Sequence, residues 1–239
     1  MSSDTPSEPG SRRTAILTAI VGFAVLAAVT LTGSHPPRDF RPGSAVLIGA
    51  VDRAAADPRV ESALVGALDV ALSQSRMIQA AEGRPGRSRF RLDVAVQSAE
   101  APYRLLGAIH DSLGGGVDTV TAEGDSWIEA ADRLALEVRA WFGERRTERD
   151  RADLSVARLG SSSFDAVAAY GEALRFRAAG ADSSAMEAAR IAVAADSGFA
   201  QAWELAGLAA LALKRTEGEA WAARGHELLS RGPRRPGGS

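Results

Sequence analysis

The chain has no cysteine, a single lysine (Lys214) and two tyrosines in 239 residues. Without cysteine there is no disulfide, no thiolate nucleophile and no zinc-thiolate site. The 28 basic residues are almost all arginine and face 30 acidic ones, so a formal charge of -2 creates no field that gathers nucleic acid. The three histidines, His35, His110 and His226, lie far apart in sequence, and no pair has metal-ligand spacing.

The remaining chemical signals are thin. His110, Asp111 and Ser112 adjoin one another, but neighbouring strand residues point to opposite faces and cannot make a triad. Gly114 to Gly116 open no helix and read as a hairpin tip rather than a phosphate loop. Glu123 and Asp125 flank a helix start, where carboxylates act as caps. Trp127, Trp141, Trp203 and Trp221 fall on predicted helices and are expected in the core. No cofactor, metal or catalytic residue is expected, and the chain does not read as an enzyme.

What is present begins with an uncharged run, Thr14 to Thr32, whose 19 residues would span about 28 Å as a helix. Residues 14–33 are therefore expected to be a single transmembrane helix in the inner (cytoplasmic) membrane, touching the lipid bilayer. Arg12 and Arg13 precede it, which places residues 1–13 in the cytoplasm and the rest on the periplasmic side. A cleaved secretory signal fits less well, because the run lacks a small-x-small site at its end, and a twin-arginine signal lacks the apolar residue after the pair. Residues 34–43, SHPPRDFRPG, read as a Pro-rich tether.

Residues 44–144 alternate strand and helix signals. Ala45 to Val51 is a strand-length apolar run, and Asp57-Pro58 opens a helix carrying Val60, Leu64, Leu68 and Leu72 on one stripe, with Glu61, Asp69 and Ser73 off it. Phe90, Leu92, Val94 and Val96 alternate with polar residues, and Tyr103 to Ile109 and Val117 to Glu123 make further strands. Ser126 and Glu129 have capping-box spacing before a helix bearing Trp127, Leu134, Val138 and Trp141. This predicts a small α/β sheet domain with two helices.

A charged linker over 145–162 leads to alanine-rich sequence with helices predicted near 163–179, 183–195, 198–213 and 216–230, the second and fourth from capping-box spacings at Ser184/Glu187 and Thr216/Glu219. Windows 34 residues apart place Ala166 over Ala200 and Ala173 over Gly207. Residues 231–239 have the composition of a disordered tail.

The order of these elements resembles a TolB-like amino-terminal α/β domain followed by two degenerate tetratricopeptide (TPR) hairpins, an all-α pair over 163–230. Leu72-Ser73-Gln74-Ser75, Tyr103-Arg104-Leu105 and Asp132-Arg133-Leu134-Ala135 carry the first likeness. Ser162 to Tyr170 and Ala194 to Trp203 carry the second, with Ala189 and Ala210 standing where aromatics are usual. The resemblance implies a non-catalytic interaction module on the periplasmic side, an adaptor or accessory subunit for a protein partner in or at the membrane. The alternative is an extracytoplasmic ligand sensor working with a separate signalling chain. In TPR hairpins the first helix of each repeat lines the groove, which here puts Val167, Tyr170, Leu174, Arg177, Gln201, Glu204, Leu208 and Leu211 in the partner site.

Overall fold

A computed structural model describes residues 40–51, 57–81, 88–144 and 155–231. The anchor expected over 14–33 lies outside these residues. The described chain falls in one compact unit.

The first strand, β1 (Ser44–Val51), is followed by helix α1 (Pro58–Leu72), which starts where the sequence predicts: Asp57 accepts the Arg59 N–H, and Pro58 occupies the first turn, where no donor is needed. Four further strands follow, β2 (Ile78–Ala81), β3 (Phe90–Ser98), β4 (Tyr103–Asp111) and β5 (Val117–Gly124). They form one mixed sheet in the order β2-β1-β3-β4-β5, with β1 parallel to both neighbours and the other pairs antiparallel. Helix α2 (Trp127–Trp141) begins at Ser126, whose hydroxyl accepts the Glu129 N–H, and it buries Ala131, Leu134 and Val138 against the sheet face carrying Phe90, Leu92 and Leu105.

Two charged groups are sealed into this half. Arg139, 2% exposed, donates to both oxygens of Glu144, and Ser75 Oγ donates to Glu144 Oε2 at 2.8 Å. The network ties the end of α2 to the turn before β2. An aromatic cluster of Phe40, Phe90, Trp141 and Phe142 closes the same end, with ring centroids 4.7 to 6.1 Å apart.

Five more helices complete the unit: α3 (Val156–Leu159), α4 (Phe164–Ala178), α5 (Asp182–Ala195), α6 (Ala200–Ala212) and α7 (Gly218–Ser230). Helix α4 packs on α1, and α5, α6 and α7 then each pack on the helix before. The helices α5 and α7 do not use the capping boxes expected of them. They start at Asp182 and Gly218, and neither has a side-chain cap.

The expected fold class is overturned. The sequence reading separated a membrane helix, a small α/β domain with two helices and an independent helical pair. Instead, one five-stranded mixed sheet and seven helices make up the described residues, and among those residues no helix is long and apolar enough to cross a membrane. The physical reason lies in α1. Its Val60, Leu64, Leu68 and Leu72 are buried, as predicted, but so are Ser62, Ala63 and Val70. The face expected to meet water is covered by α4. Polar side chains at that crossing are paired across it: Tyr170 donates to Asp69 at 2.7 Å, Arg175 to Ser62 Oγ at 3.3 Å, and Arg59 to Asp165 at 3.0 Å. A single hydrophobic core therefore runs from Val46 and Phe90 in the sheet to Phe199 and Leu205 in the helices.

Candidate functional site

The sheet order leaves β2 at one edge. Among the described residues it pairs with β1 alone, so one row of its backbone N–H and C=O groups faces away from the sheet. Beside it lies a cleft of about 600 Å³. Three successive β2 residues, Ile78, Gln79 and Ala80, line this cleft. Strand side chains alternate between faces, so three in a row can border one space only if the strand presents its edge.

The opposite wall is one stripe of α6. Gln201, Glu204, Leu205 and Leu208 recur at helical spacing, and Leu229 of α7 stands beside them. The end of α1 supplies Asp69 and Ser73, the following turn supplies Gln74 and Ser75, and Tyr170 and Leu159 complete the lining. The walls are part apolar and part polar. Leu208 is 45% exposed and Leu229 39%, while Leu205 is buried.

The electrostatics of the cleft are one-sided. Among the described residues its lining holds the carboxylates of Asp69 and Glu204 and no lysine or arginine. Burial pushes the Glu204 carboxyl above its ordinary range, with the charge of nearby His226 opposing that shift. Gln201 Oε1 is buried with no hydrogen-bond partner. Asp69 accepts the Tyr170 hydroxyl, which fixes both at the base of the cleft.

The residues expected to form a partner groove are thus divided. Val167 and Tyr170 are buried beneath α1, and Leu174 packs partly buried on the same core. Arg177 sits within 3.8 Å of Asp182, at the turn between α4 and α5. Gln201, Glu204 and Leu208 share the cleft, and only Tyr170 joins them there from α4. Leu211 is exposed on α6 and does not line the cleft. Sequence reasoning missed Asp69, Gln79 and Leu229. Asp69 was visible only as one of the polar residues off the α1 stripe, and the sheet order that brings the β2 edge opposite α6 left no local signal.

The other textual candidates are structural. Asp111 takes a bidentate hydrogen bond from Arg89 at 2.8 Å, and His110 lies on the opposite strand face, 3.0 Å from Asp93. Glu123 pairs with Arg104 across β4 and β5. Trp127 packs on Tyr103 with ring centroids 4.4 Å apart, and the Trp203 indole N–H donates to the Ser197 carbonyl.

No protein-family profile and no curated protein matches the sequence. Among solved structures, a leucine-to-methionine variant of the PelC dodecamer from Paraburkholderia phytofirmans and the PelC dodecamer without that change, in two crystal forms, align with 47% of this chain and 95% of theirs, at 18% identity and TM-scores of 0.34 and 0.30.

Proposed function

We propose that this chain is a non-catalytic interaction module, an adaptor or accessory subunit that holds a segment of a protein partner in the cleft between β2 and α6. One observation carries the reading: a strand edge that pairs with no further strand among the described residues, its Ile78 N–H alone being held by Ser75 Oγ, faces a helical stripe with a half-exposed leucine, Leu208, across a cleft of about 600 Å³. Open edges and apolar helical faces are the two surfaces that peptide segments most often occupy. Placement outside the cytoplasm is a separate part of the proposal and rests on the sequence of residues 1–43 alone.

A photo-crosslinking amino acid at Leu208 in the full chain, expressed in its native cells, tests the reading. The control is Leu113, 74% exposed at the β4–β5 tip, at the far side of the sheet from β2. A discrete protein adduct from position 208 and none from 113 is the expected result. Equal labelling at both positions, or none at 208, would count against a partner in the cleft.

A second reading, uptake of a small ligand, is favoured by the cleft volume, which lies within the range of small-molecule sites of roughly 300–1,000 Å³. It requires ligand-dependent thermal stabilisation of the full chain and no adduct at 208.

A further inference from the structure

We propose that the occupant of the cleft is an extended segment that adds to β2 as a sixth strand and carries a lysine or arginine side chain that pairs with Glu204. The inference rests on the reading of the cleft as a partner site and specifies that partner's chemistry.

Strand addition follows from how the cleft is bordered. A groove that met β2 through one face would be lined by Ile78 and Ala80 without Gln79, or the reverse; all three border it. The Ile78 N–H of this edge already donates to Ser75 Oγ at 3.2 Å; an extended chain laid there satisfies the remaining outward backbone groups of β2 with its own and alternates its side chains between the two sides of the sheet. Those directed toward the helices meet Leu205, Leu208 and Glu204.

The charge follows from what the lining lacks. Among the described residues, two carboxylates, Asp69 and Glu204, border the cleft and no arginine or lysine does. Asp69 already accepts the Tyr170 hydroxyl. Glu204 has no such hydroxyl partner among the described hydrogen bonds, and the titratable group that bears on it is His226 of α7. Gln201, one helical turn before Glu204 on the same stripe, holds an acceptor oxygen with no donor. A carboxylate and an amide oxygen on one stripe, partly withdrawn from water, accept a guanidinium or ammonium with its several N–H groups and reject an acidic side chain.

The test uses a phage-displayed random decapeptide library panned on the full chain. Selected peptides are expected to hold one lysine or arginine among apolar and β-branched residues. Replacing that residue by norleucine weakens binding tenfold or more to the parent protein and leaves binding to Glu204→Gln unchanged. N-methylation of alternate peptide amides abolishes binding in one alternating set and spares the other, the signature of a strand with one bonded edge. Tolerance of both N-methyl sets overturns strand addition. Equal loss from norleucine in the parent and in Glu204→Gln overturns the charge pairing. Either result with a persistent adduct at 208 defeats this inference and leaves the interaction module standing; loss of the adduct defeats both.

Discussion

Gly66 of α1 and Gly171 of α4 face each other with backbone against backbone. A Cβ built on Gly171 would lie 1.8 Å from the Ser62 carbonyl oxygen and 2.9 Å from the Gly66 nitrogen, and one built on Gly66 would lie 2.5 Å from the Val167 oxygen. No side chain can give way, because the obstructing atoms are main chain. The helices cross here closer than any other residue pair would allow.

Gly171→Ala is therefore expected to cost at least about 3 kcal/mol, the upper part of the range for overpacked cores. Gly116→Ala, where nothing lies within 4 Å of the added carbon, is the matched control. Urea denaturation of both variants checks the prediction; near-equal midpoints would mean that the crossing is looser than described.

Asp111 is held near pKa about 2, first by the Arg89 hydrogen bonds and then by the Leu113 and Gly114 N–H groups, which together outweigh its burial. A depressed carboxylate pKa contributes stability that is present above the unfolded value and lost as pH falls toward the folded one. Asp111→Asn should thus lower stability by about 2 kcal/mol at neutral pH, with the difference from the parent shrinking below about pH 4 and lost only below about pH 2. Thermal melts across that range give the answer, and a deficit independent of pH would contradict it.

Glu144 is depressed too, but against a burial effect that is its largest single influence. Burial alone would raise its carboxyl, but Arg139, Ser75 and the Arg76 N–H hold it below the ordinary range. Glu144→Ala strands a buried guanidinium and should cost about 3–5 kcal/mol, whereas the joint change Arg139→Met with Glu144→Leu should recover most of that loss. If the double variant is no more stable than the single one, the penalty does not come from the uncompensated charge.

Glu204 should behave as a locally unfavourable carboxylate. Its folded pKa is raised, so the native state holds the proton longer than the unfolded chain and stability falls as pH rises through that interval. Glu204→Gln is expected to melt slightly higher than the parent at pH 7.5, with the gap closing below about pH 4. A lower melting temperature for Gln at neutral pH would show that the ionised carboxylate has a partner within the fold.

Periodicity and capping made the strands and helices legible one by one. Asp57-Pro58, the alternation from Phe90 to Val96 and the Ser126–Glu129 box all lie where the sequence put them. Ser184 and Thr216 misled because α5 and α7 start ahead of or beyond those boxes, at Asp182 and Gly218, without side-chain caps. The larger error concerned α1. Its stripe of Val60, Leu64, Leu68 and Leu72 accounts for one buried face, and a polar second face with Glu61 and Asp69 reads as solvated. Ser62 and Gly66, four residues apart, marked that second face as a close helix contact, and Gly171 was the matching small residue more than a hundred positions away. Nothing local links the two. The same contact explains the divided site: α1 fills the first half of the row, so charged replacements of Val167 or Tyr170 would injure the fold before they informed on any partner. The cleft depended on a sheet order that short-range patterns do not encode.

With a helix buried on both sides at its centre, the molecule has a spine rather than a seam. Its two halves cannot be pulled apart and used separately, since each would expose half of α1. The end of α1 supplies Asp69 and Ser73 to the cleft, so one of its walls is part of that spine. A substitution that forced Gly66 and Gly171 apart would therefore be felt at the cleft as well as in the core.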